Sequence, residues 1–122
     1  MHVFMYSSVI EEKEKEIKTI IEGLFSVNQI KVFRSVDILS KELQKPLFEK
    51  PLVVILIYKK EELLDLISLR GQLHEVRLIL ILPDAEEGTI SLAHRLRPNY
   101  LTYFHSDPMA LKAVLQKISQ IN

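Results

Sequence analysis

The side chains that could do chemistry in this sequence stand directly after its most apolar segments. They are Ser7, Ser8, Tyr58, Lys59, Asp84 and His105. Hydroxyl, phenol, ammonium, carboxylate and imidazole groups in one place could bind a small polar ligand, and a lysine beside a helix N-terminus could attract an anion. These groups act together only if the segments before them are strands of one sheet whose ends meet.

The apolar pattern predicts five strand-then-helix units. Continuous apolar runs such as LVVILI and LILIL are typical of parallel strands that are buried on both faces. The predicted strands span residues 2–6, 30–34, 52–58, 78–82 and 100–104, and the predicted helices span residues 9–25, 35–44, 61–75, 84–96 and 108–121. In open parallel sheets a ligand crevice lies outside the carboxyl ends of the strands. The six candidate side chains are therefore expected at one edge of the sheet.

The same polar residues have an ordinary structural explanation. A Ser or Asp side chain at the start of a helix accepts a hydrogen bond from a backbone N–H that would otherwise be unpaired. Suitable caps are Ser7 or Ser8, Ser35 or Asp37, Asp84 and Asp107, with Pro108 suited to the first helical turn. The sequence leaves both explanations open, a ligand crevice and a row of helix caps.

The first predicted helix combines an inward apolar stripe with a charged outer face. The stripe is formed by Ile10, Ile17, Ile20, Ile21 and Leu24. Glu11 with Lys15 and Glu14 with Lys18 have i,i+4 spacing and are predicted to form ion pairs on the solvent face.

Strand order follows from how apolar each predicted strand is. The first, third and fourth strands are almost continuously apolar, as central strands are, whereas IKVFR and YLTYF are mixed, as edge strands can be. Three central strands flanked by the second and fifth give the order 2-1-3-4-5, the flavodoxin-like winding of a three-layer α/β sandwich. Right-handed crossovers then place the first and fifth helices on one face and the other three on the opposite face.

Composition excludes several function classes. The chain has 122 residues and no cysteine, so thiol catalysis, disulfides and cysteine-based metal sites are excluded. Sixteen basic residues balance sixteen acidic ones, so no net charge draws the chain to nucleic acid or to an anionic membrane. We expect one domain over residues 1–122, and a cytoplasmic protein without a signal peptide or membrane span.

Familiar catalytic and cofactor motifs are also missing. The three glycines are isolated, so no glycine-rich phosphate loop can be written and no nucleotide cofactor is expected. The four histidines have no metal-ligand spacing, and no metal is expected. Ser7, His105 and Asp84 make a catalytic triad on paper only, because no G-x-S-x-G elbow accompanies them. The sequence therefore predicts a protein that is not an enzyme and needs no cofactor.

Two surfaces are candidate protein interfaces. The third predicted helix has more apolar residues than one core-facing stripe needs, so it either presents a second face to a partner or sits deeply between its neighbours. The residues of that second face are Leu66, Leu69 and Leu73. A polar–aromatic surface could be formed by Arg95, Arg97, Tyr100 and Tyr103, since Arg and Tyr are favoured interface anchors. Either surface would serve a protein partner or self-association as a homodimer.

The last predicted helix, by contrast, is expected to contribute only to the core. Its inward stripe is formed by Leu111, Val114, Leu115, Ile118 and Ile121.

Five βα units in 122 residues, with a proline soon after the fifth strand, resemble the receiver domain of two-component response regulators. The resemblance covers the whole chain and rests on element order and length. It implies acids after the first strand, a phosphate-accepting Asp ending the third, a hydroxyl residue ending the fourth and a Lys ending the fifth. An aspartyl phosphate forms only when cations neutralise its charge, which is why receivers need this set.

This chain departs from the receiver pattern at every one of those positions. It carries Tyr6, Ser7 and Ser8 after the first strand, Ile57 or Tyr58 at the third, Leu82 or Pro83 at the fourth, and His105, Ser106 and Asp107 at the fifth. Tyr103 lies near the position where receivers often carry a switch aromatic. The resemblance predicts a phosphorylation-incompetent pseudo-receiver that serves as an interaction or regulatory module in signal transduction. The alternative is a small-ligand sensor that binds at the strand ends through Tyr58, Lys59 and His105.

Overall fold

A computed structural model describes residues 1–46 and 49–120 of the chain. The strands are β1 Val3–Ser7, β2 Ile30–Phe33, β3 Leu52–Leu56, β4 Arg77–Leu82 and β5 Tyr100–Tyr103. The helices are α1 Glu12–Glu22, α2 Val36–Leu43, α3 Glu61–Ile67, α4 Arg70–Leu73, α5 Glu87–His94 and α6 Pro108–Ser119, and a 3₁₀ turn spans Val27–Gln29. Ile121, predicted to extend the last helix and its core stripe, lies outside the described residues.

The five strands form one parallel sheet in the order β2-β1-β3-β4-β5, which confirms the predicted flavodoxin-like fold. Strands β1 and β3 are buried at every position, and β4 at every position except Arg77. Edge strands β2 and β5 are partly exposed, as their mixed sequences predict. A strand covered by helices on both faces has no solvent side, so its side chains are apolar throughout.

Two apolar layers lie on opposite faces of the sheet, and their members confirm the predicted crossovers. Helices α1 and α6 bury Ile17, Ile21, Leu111 and Leu115 on one face. Helices α2, α3 and α5 bury Leu39, Leu63, Leu66 and Ala93 on the other. Within the described residues, no helix has the length and apolar character required to cross a membrane.

The third predicted helix is broken into two pieces, which corrects the interface expected on it. The Ser68 hydroxyl donates to the Asp65 carbonyl oxygen (2.6 Å), an alternative to the helical pattern, and α3 ends at Ile67. Helix α4 then starts at Arg70. The predicted interface residues Leu66, Leu69 and Leu73 are all buried in the core, at 0%, 8% and 0% exposure. The prediction of an interface on this helix is wrong, and the alternative prediction, a helix seated deeply between its neighbours, is confirmed.

Helix starts divide the predicted caps into two groups. Ser35 accepts a hydrogen bond from the Ile38 N–H (3.4 Å) and Asp107 accepts one from the Met109 N–H (2.9 Å), so these two caps are confirmed. Asp84 instead accepts from the Glu86 N–H (3.0 Å), which closes a turn before α5. The predicted start at residue 84 is therefore wrong, since α5 begins at Glu87.

The predicted start of the first helix is also wrong. Helix α1 begins at Glu12, and the residue before it, Glu11, makes no side-chain cap. The hydroxyl of Ser7 donates to the carbonyl oxygen of Val9 (2.7 Å) and stabilises the loop instead of a helix end. Ser8 makes its hydrogen bond elsewhere, which leaves both serines free of a capping role in α1.

Candidate functional site

The ends of β1 and β3 are joined by a hydrogen bond between two predicted site residues. The Ser7 Oγ and Tyr58 Oη atoms are 3.1 Å apart. Because the single hydroxyl hydrogen of Ser7 is directed to the Val9 carbonyl, Tyr58 is the donor in this bond. Burial raises the pKa of Tyr58 above its ordinary value, so the phenol, which is protonated at neutral pH in any case, stays protonated further into alkaline solution. Ser7 and Tyr58 are thus in contact at one edge of the sheet, as the sequence predicts.

A second link across the same edge involves a residue that the sequence did not single out. The Ser8 hydroxyl donates to the carboxylate of Glu62 on α3, at 3.2 and 3.3 Å from its two oxygens. Burial raises the pKa of Glu62, and the hydrogen bond from Ser8 opposes that rise. Acidic residues are common in the first turn of a helix, so the sequence held no distinct signal for Glu62.

An ion pair holds the loop after β1 from its other side. Arg34, directly after β2, pairs with the carboxylate of Glu14 on α1, and its Nη2 lies 3.1 Å from Glu14 Oε2. The same guanidinium donates to the carbonyl oxygens of Ser7 and Val9, both at 3.2 Å. The hydrogen bonds from Arg34 hold the pKa of Glu14 below its ordinary value.

The position of Glu14 corrects the predicted pair with Lys18 on the solvent face. Glu14 is buried, at 4% exposure, and its partner is Arg34. A signal was available, because Glu14 precedes the buried residues Ile17 and Ile21 by three and seven positions, the spacing of one helix face. Arg34 carried no comparable signal in the sequence.

The remaining candidates share the edge but not the network. Lys59 and His105 are exposed, and Asp84 is half-buried in the turn before α5. The ring of Tyr58 packs edge-on against Phe104, with centroids 5.2 Å apart. In the described part of the chain, no hydrogen bond connects Lys59, Asp84 or His105 to the Ser7–Tyr58 pair.

The end of β3, where the resemblance to receivers places the phosphate-accepting residue, is closed by core packing. The N–H of Ile57 donates to the Ile81 carbonyl (2.9 Å), and the Ile57 side chain is fully buried. Among residues 1–46 and 49–120, no group of three His, Asp or Glu side chains could hold a metal ion. The hydrogen bonds across this edge thus include the pairs Ser7–Tyr58 and Ser8–Glu62, in which serine and tyrosine hydroxyls take part.

The structure brings together only part of the second predicted interface, the surface of Arg95, Arg97, Tyr100 and Tyr103. Arg95 and Arg97 are exposed at the end of α5. Tyr103 packs with the α2, α3 and α5 layer, whereas Tyr100 packs with the α1 and α6 layer. Residues three apart in a strand point to opposite faces, so the two tyrosines cannot belong to one face of the sheet.

Exposed apolar side chains concentrate at the carboxyl edge. The large apolar residues described as exposed are Val9, Ile10, Val27, Ile38, Leu64 and Met109. All except Val27 lie in the loop or the first helical turn that follows a strand. Single exposed apolar residues are ordinary on protein surfaces, and what these five share is their place at one edge of the sheet.

Comparison of the chain with protein-family models, with curated proteins and with solved structures found no match in any of the three. The function is therefore argued from the contacts at the carboxyl edge.

Proposed function

We propose that this chain is a non-catalytic, phosphorylation-incompetent receiver-like domain that acts as a protein-interaction or regulatory module. The observation that carries the proposal is the 3.1 Å hydrogen bond between Ser7 and Tyr58. In a receiver, the corresponding space lies between the acidic residues and the phosphate-accepting aspartate, and it must admit a cation and a phosphoryl group. Two neutral hydroxyl groups bonded to each other occupy it in this chain.

The carboxylates that contact the loop after β1 support the same proposal. Glu14 is paired with Arg34, and Glu62 accepts the Ser8 hydroxyl. Neither carboxylate lies at the end of β3, where a receiver carries its phosphate-accepting aspartate, since Glu14 is on α1 and Glu62 is on α3. The edge therefore resembles that of a receiver in element order but carries Ile57 and Tyr58 at the end of β3, where a receiver has its phosphate acceptor.

The apolar rim supports an interaction role. Ile10, Ile38, Leu64 and Met109 are each exposed by more than half at the carboxyl edge. Exposed apolar groups gathered at one end of a domain are typical of a surface that contacts another protein. A regulatory module of this kind would bind its partner through the edge that in an enzyme would hold the chemistry.

A small-ligand sensor is the second candidate, favoured by the exposure of Lys59 and His105 beside Tyr58. An anionic ligand would contact the Lys59 ammonium and compete with Ser7 for the hydroxyl of Tyr58. Such a ligand must break an existing hydrogen bond to bind.

Phosphotransfer chemistry tests the leading proposal directly. The chain is incubated with Mg²⁺ and acetyl phosphate, beside a receiver with a complete phosphorylation site as a positive control, and both are read by intact mass. We expect an adduct on the control and none on this chain. A stoichiometric adduct that hydroxylamine removes, as it removes acyl phosphates, would overturn the proposal.

A native mass spectrum of the freshly purified chain separates the two candidates. Bare chain, as monomer or dimer, supports the interaction module. A stoichiometric extra mass of a few hundred daltons supports the sensor, and Lys59→Ala and Tyr58→Phe should then weaken binding. Lys117→Ala is the matched control, because Lys117 is exposed in the last turn of α6, at the opposite edge of the sheet. Unchanged affinity in all three variants would move the ligand site elsewhere.

A further inference from the structure

A cleft of about 330 Å³ opens between α2 and α3 at the carboxyl edge. Its walls are formed by Ser35, Val36, Asp37, Leu64, Asp65 and Ser68. One turn further along α2, the side chain of Gln72 bonds both the hydroxyl and the carbonyl oxygen of Ser40, at 3.2 and 3.3 Å. These bonds tie α2 to α4, the short helix that follows α3.

The cleft carries uncompensated negative charge. Asp37 and Asp65 are exposed on opposite walls, and within the described residues neither forms a salt bridge. Arg34 is close to Asp37 in sequence, but its guanidinium is bound to Glu14 and to the loop after β1. Two carboxylates on facing walls are therefore available to cations from outside the chain.

The same cleft is bordered by exposed apolar surface. Leu64 lines it at 56% exposure, and Ile38 lies beside Asp37 on α2 at 57% exposure. Covering these side chains removes apolar area from water, which favours association. Val36 and Leu64 are the apolar residues of the cleft walls, and with the two carboxylates beside them they are complementary to an apolar side chain flanked by lysine or arginine.

We propose that this cleft docks a cationic amphipathic helix of a partner protein. The helix lies along the groove between α2 and α3, with an apolar side chain against Leu64 and basic side chains on Asp37 and Asp65. Helices recognise helical grooves in this way, through apolar anchors one turn apart and charges beside them. The inference rests on the proposed function, since it names the partner class of the interaction module.

The test is a titration of the ¹⁵N-labelled full chain with a synthetic amphipathic peptide of leucine and lysine, followed by NMR. A peptide with glutamate in place of lysine is the matched control. With the cationic peptide we expect chemical-shift changes concentrated in the first turn of α2 and in α3, and weaker binding at higher salt. With the acidic peptide we expect none.

Substitutions then assign the contacts. Leu64→Ser should lower the affinity for the cationic peptide about tenfold, and the double variant Asp37→Asn with Asp65→Asn should do the same. Val27→Ser and Glu22→Gln are controls, an exposed apolar residue in the 3₁₀ turn and an exposed acid at the end of α1, and should change affinity less than about twofold. The dispersion of each variant's amide spectrum verifies that it is folded.

Several outcomes would overturn the proposed docking of a helix in this cleft without bearing on the proposed function. No shift changes in α2 and α3, or equal changes with the acidic peptide, would do so. Changes confined to Arg95, Arg97 and Tyr103 would move the interface to the other surface and leave the interaction module in place. Sedimentation of the chain alone tests whether a second copy occupies the cleft. A dimer that Leu64→Ser dissociates would show that the occupant is a second copy of this chain and not a partner's helix. The phosphoryl-adduct experiment, by contrast, bears on the proposed function alone.

Discussion

Arg34 and Glu14, twenty positions apart in the chain, form an ion pair that joins the end of β2 to helix α1. The Arg34 guanidinium also bonds the carbonyl oxygens of Ser7 and Val9, which places one cation over the whole loop after β1. Glu14 is almost fully buried, whereas the Arg34 side chain is 40% exposed. A buried carboxylate without its cation is unfavourable, so loss of the Arg34 partner should lower the free energy of unfolding.

We expect Arg34→Ala to lower the free energy of unfolding by about 1–3 kcal/mol, because it leaves Glu14 buried without its cation. Lys31→Ala is the matched control. It removes an exposed pair with Glu42, which keeps Lys45 as a partner, and should cost less than about 1 kcal/mol. Urea denaturation of both variants measures the difference. Equal small losses would show that Glu14 is solvated when Arg34 is absent.

The pH dependence of stability should carry the signature of Glu14. Hydrogen bonds from Arg34 hold the pKa of Glu14 in the folded chain below the ordinary value of 4.5. A lowered folded pKa adds stability that is complete above the unfolded pKa and is lost as pH falls through the folded pKa. The advantage of the wild type over Glu14→Gln should therefore shrink as the pH falls below about 4.5.

Denaturation at a series of pH values, from neutral to strongly acidic, measures that advantage. Glu12→Gln serves as the control, since it removes the same charge from a side chain on α1 that is 95% exposed. A wild-type advantage over Glu14→Gln that stays constant across the whole range would mean that Glu14 titrates as a solvated carboxyl.

Thr89 on α5 should tolerate the loss of its hydroxyl. Its Oγ is fully buried, and in the described part of the chain no partner bonds it. Thr89→Val keeps the shape and removes the unpaired polar atom, so we expect a gain of about 0.5–2 kcal/mol in thermal or urea unfolding. Thr89→Ser keeps the hydroxyl and removes a methyl group, and it should cost about 1 kcal/mol. Destabilisation by valine would point to a hydrogen bond made by the hydroxyl.

Replacement of Arg97 by glycine should maintain or raise the free energy of unfolding. The φ angle of Arg97 is 52°, in the left-handed region that strains side chains with a Cβ atom. Arg97→Gly relieves this strain and should change the free energy of unfolding by about 0 to +1 kcal/mol. Arg95→Gly is the matched control, since Arg95 has a helical φ of −66° at the end of α5, and should cost about 0.5–1 kcal/mol. If both variants lose the same stability, the strain at Arg97 is negligible.

The sheet could be predicted from the sequence because its information is local. The apolar runs at β3 and β4 and the mixed pattern at β2 and β5 reflect how each strand is covered, one residue after another. Strand order and the faces of the helices followed from that pattern and from crossover handedness. The meeting of Ser7 with Tyr58 followed in turn, since parallel strands end at one edge.

Periodicity did not predict the break after α3. The apolar residues Leu66, Leu69 and Leu73 exceed one helical stripe, and a straight helix would turn some of them to solvent. The Ser68 hydroxyl bonds the Asp65 carbonyl, the chain turns at Leu69, and all three leucines face the core. The break between α3 and α4, rather than the apolar pattern alone, accompanies the burial of all three leucines.

By itself the sequence determined the flavodoxin-like fold and the edge of the sheet that gathers the polar residues. Only the tertiary structure decided which partner each polar group takes: Tyr58 for Ser7, Glu62 for Ser8, and Arg34 for Glu14. The physical reason is the range of the forces involved. Strand and helix patterns depend on neighbours in sequence, whereas hydrogen bonds and ion pairs depend on distances of about 3 Å between groups that the fold brings together.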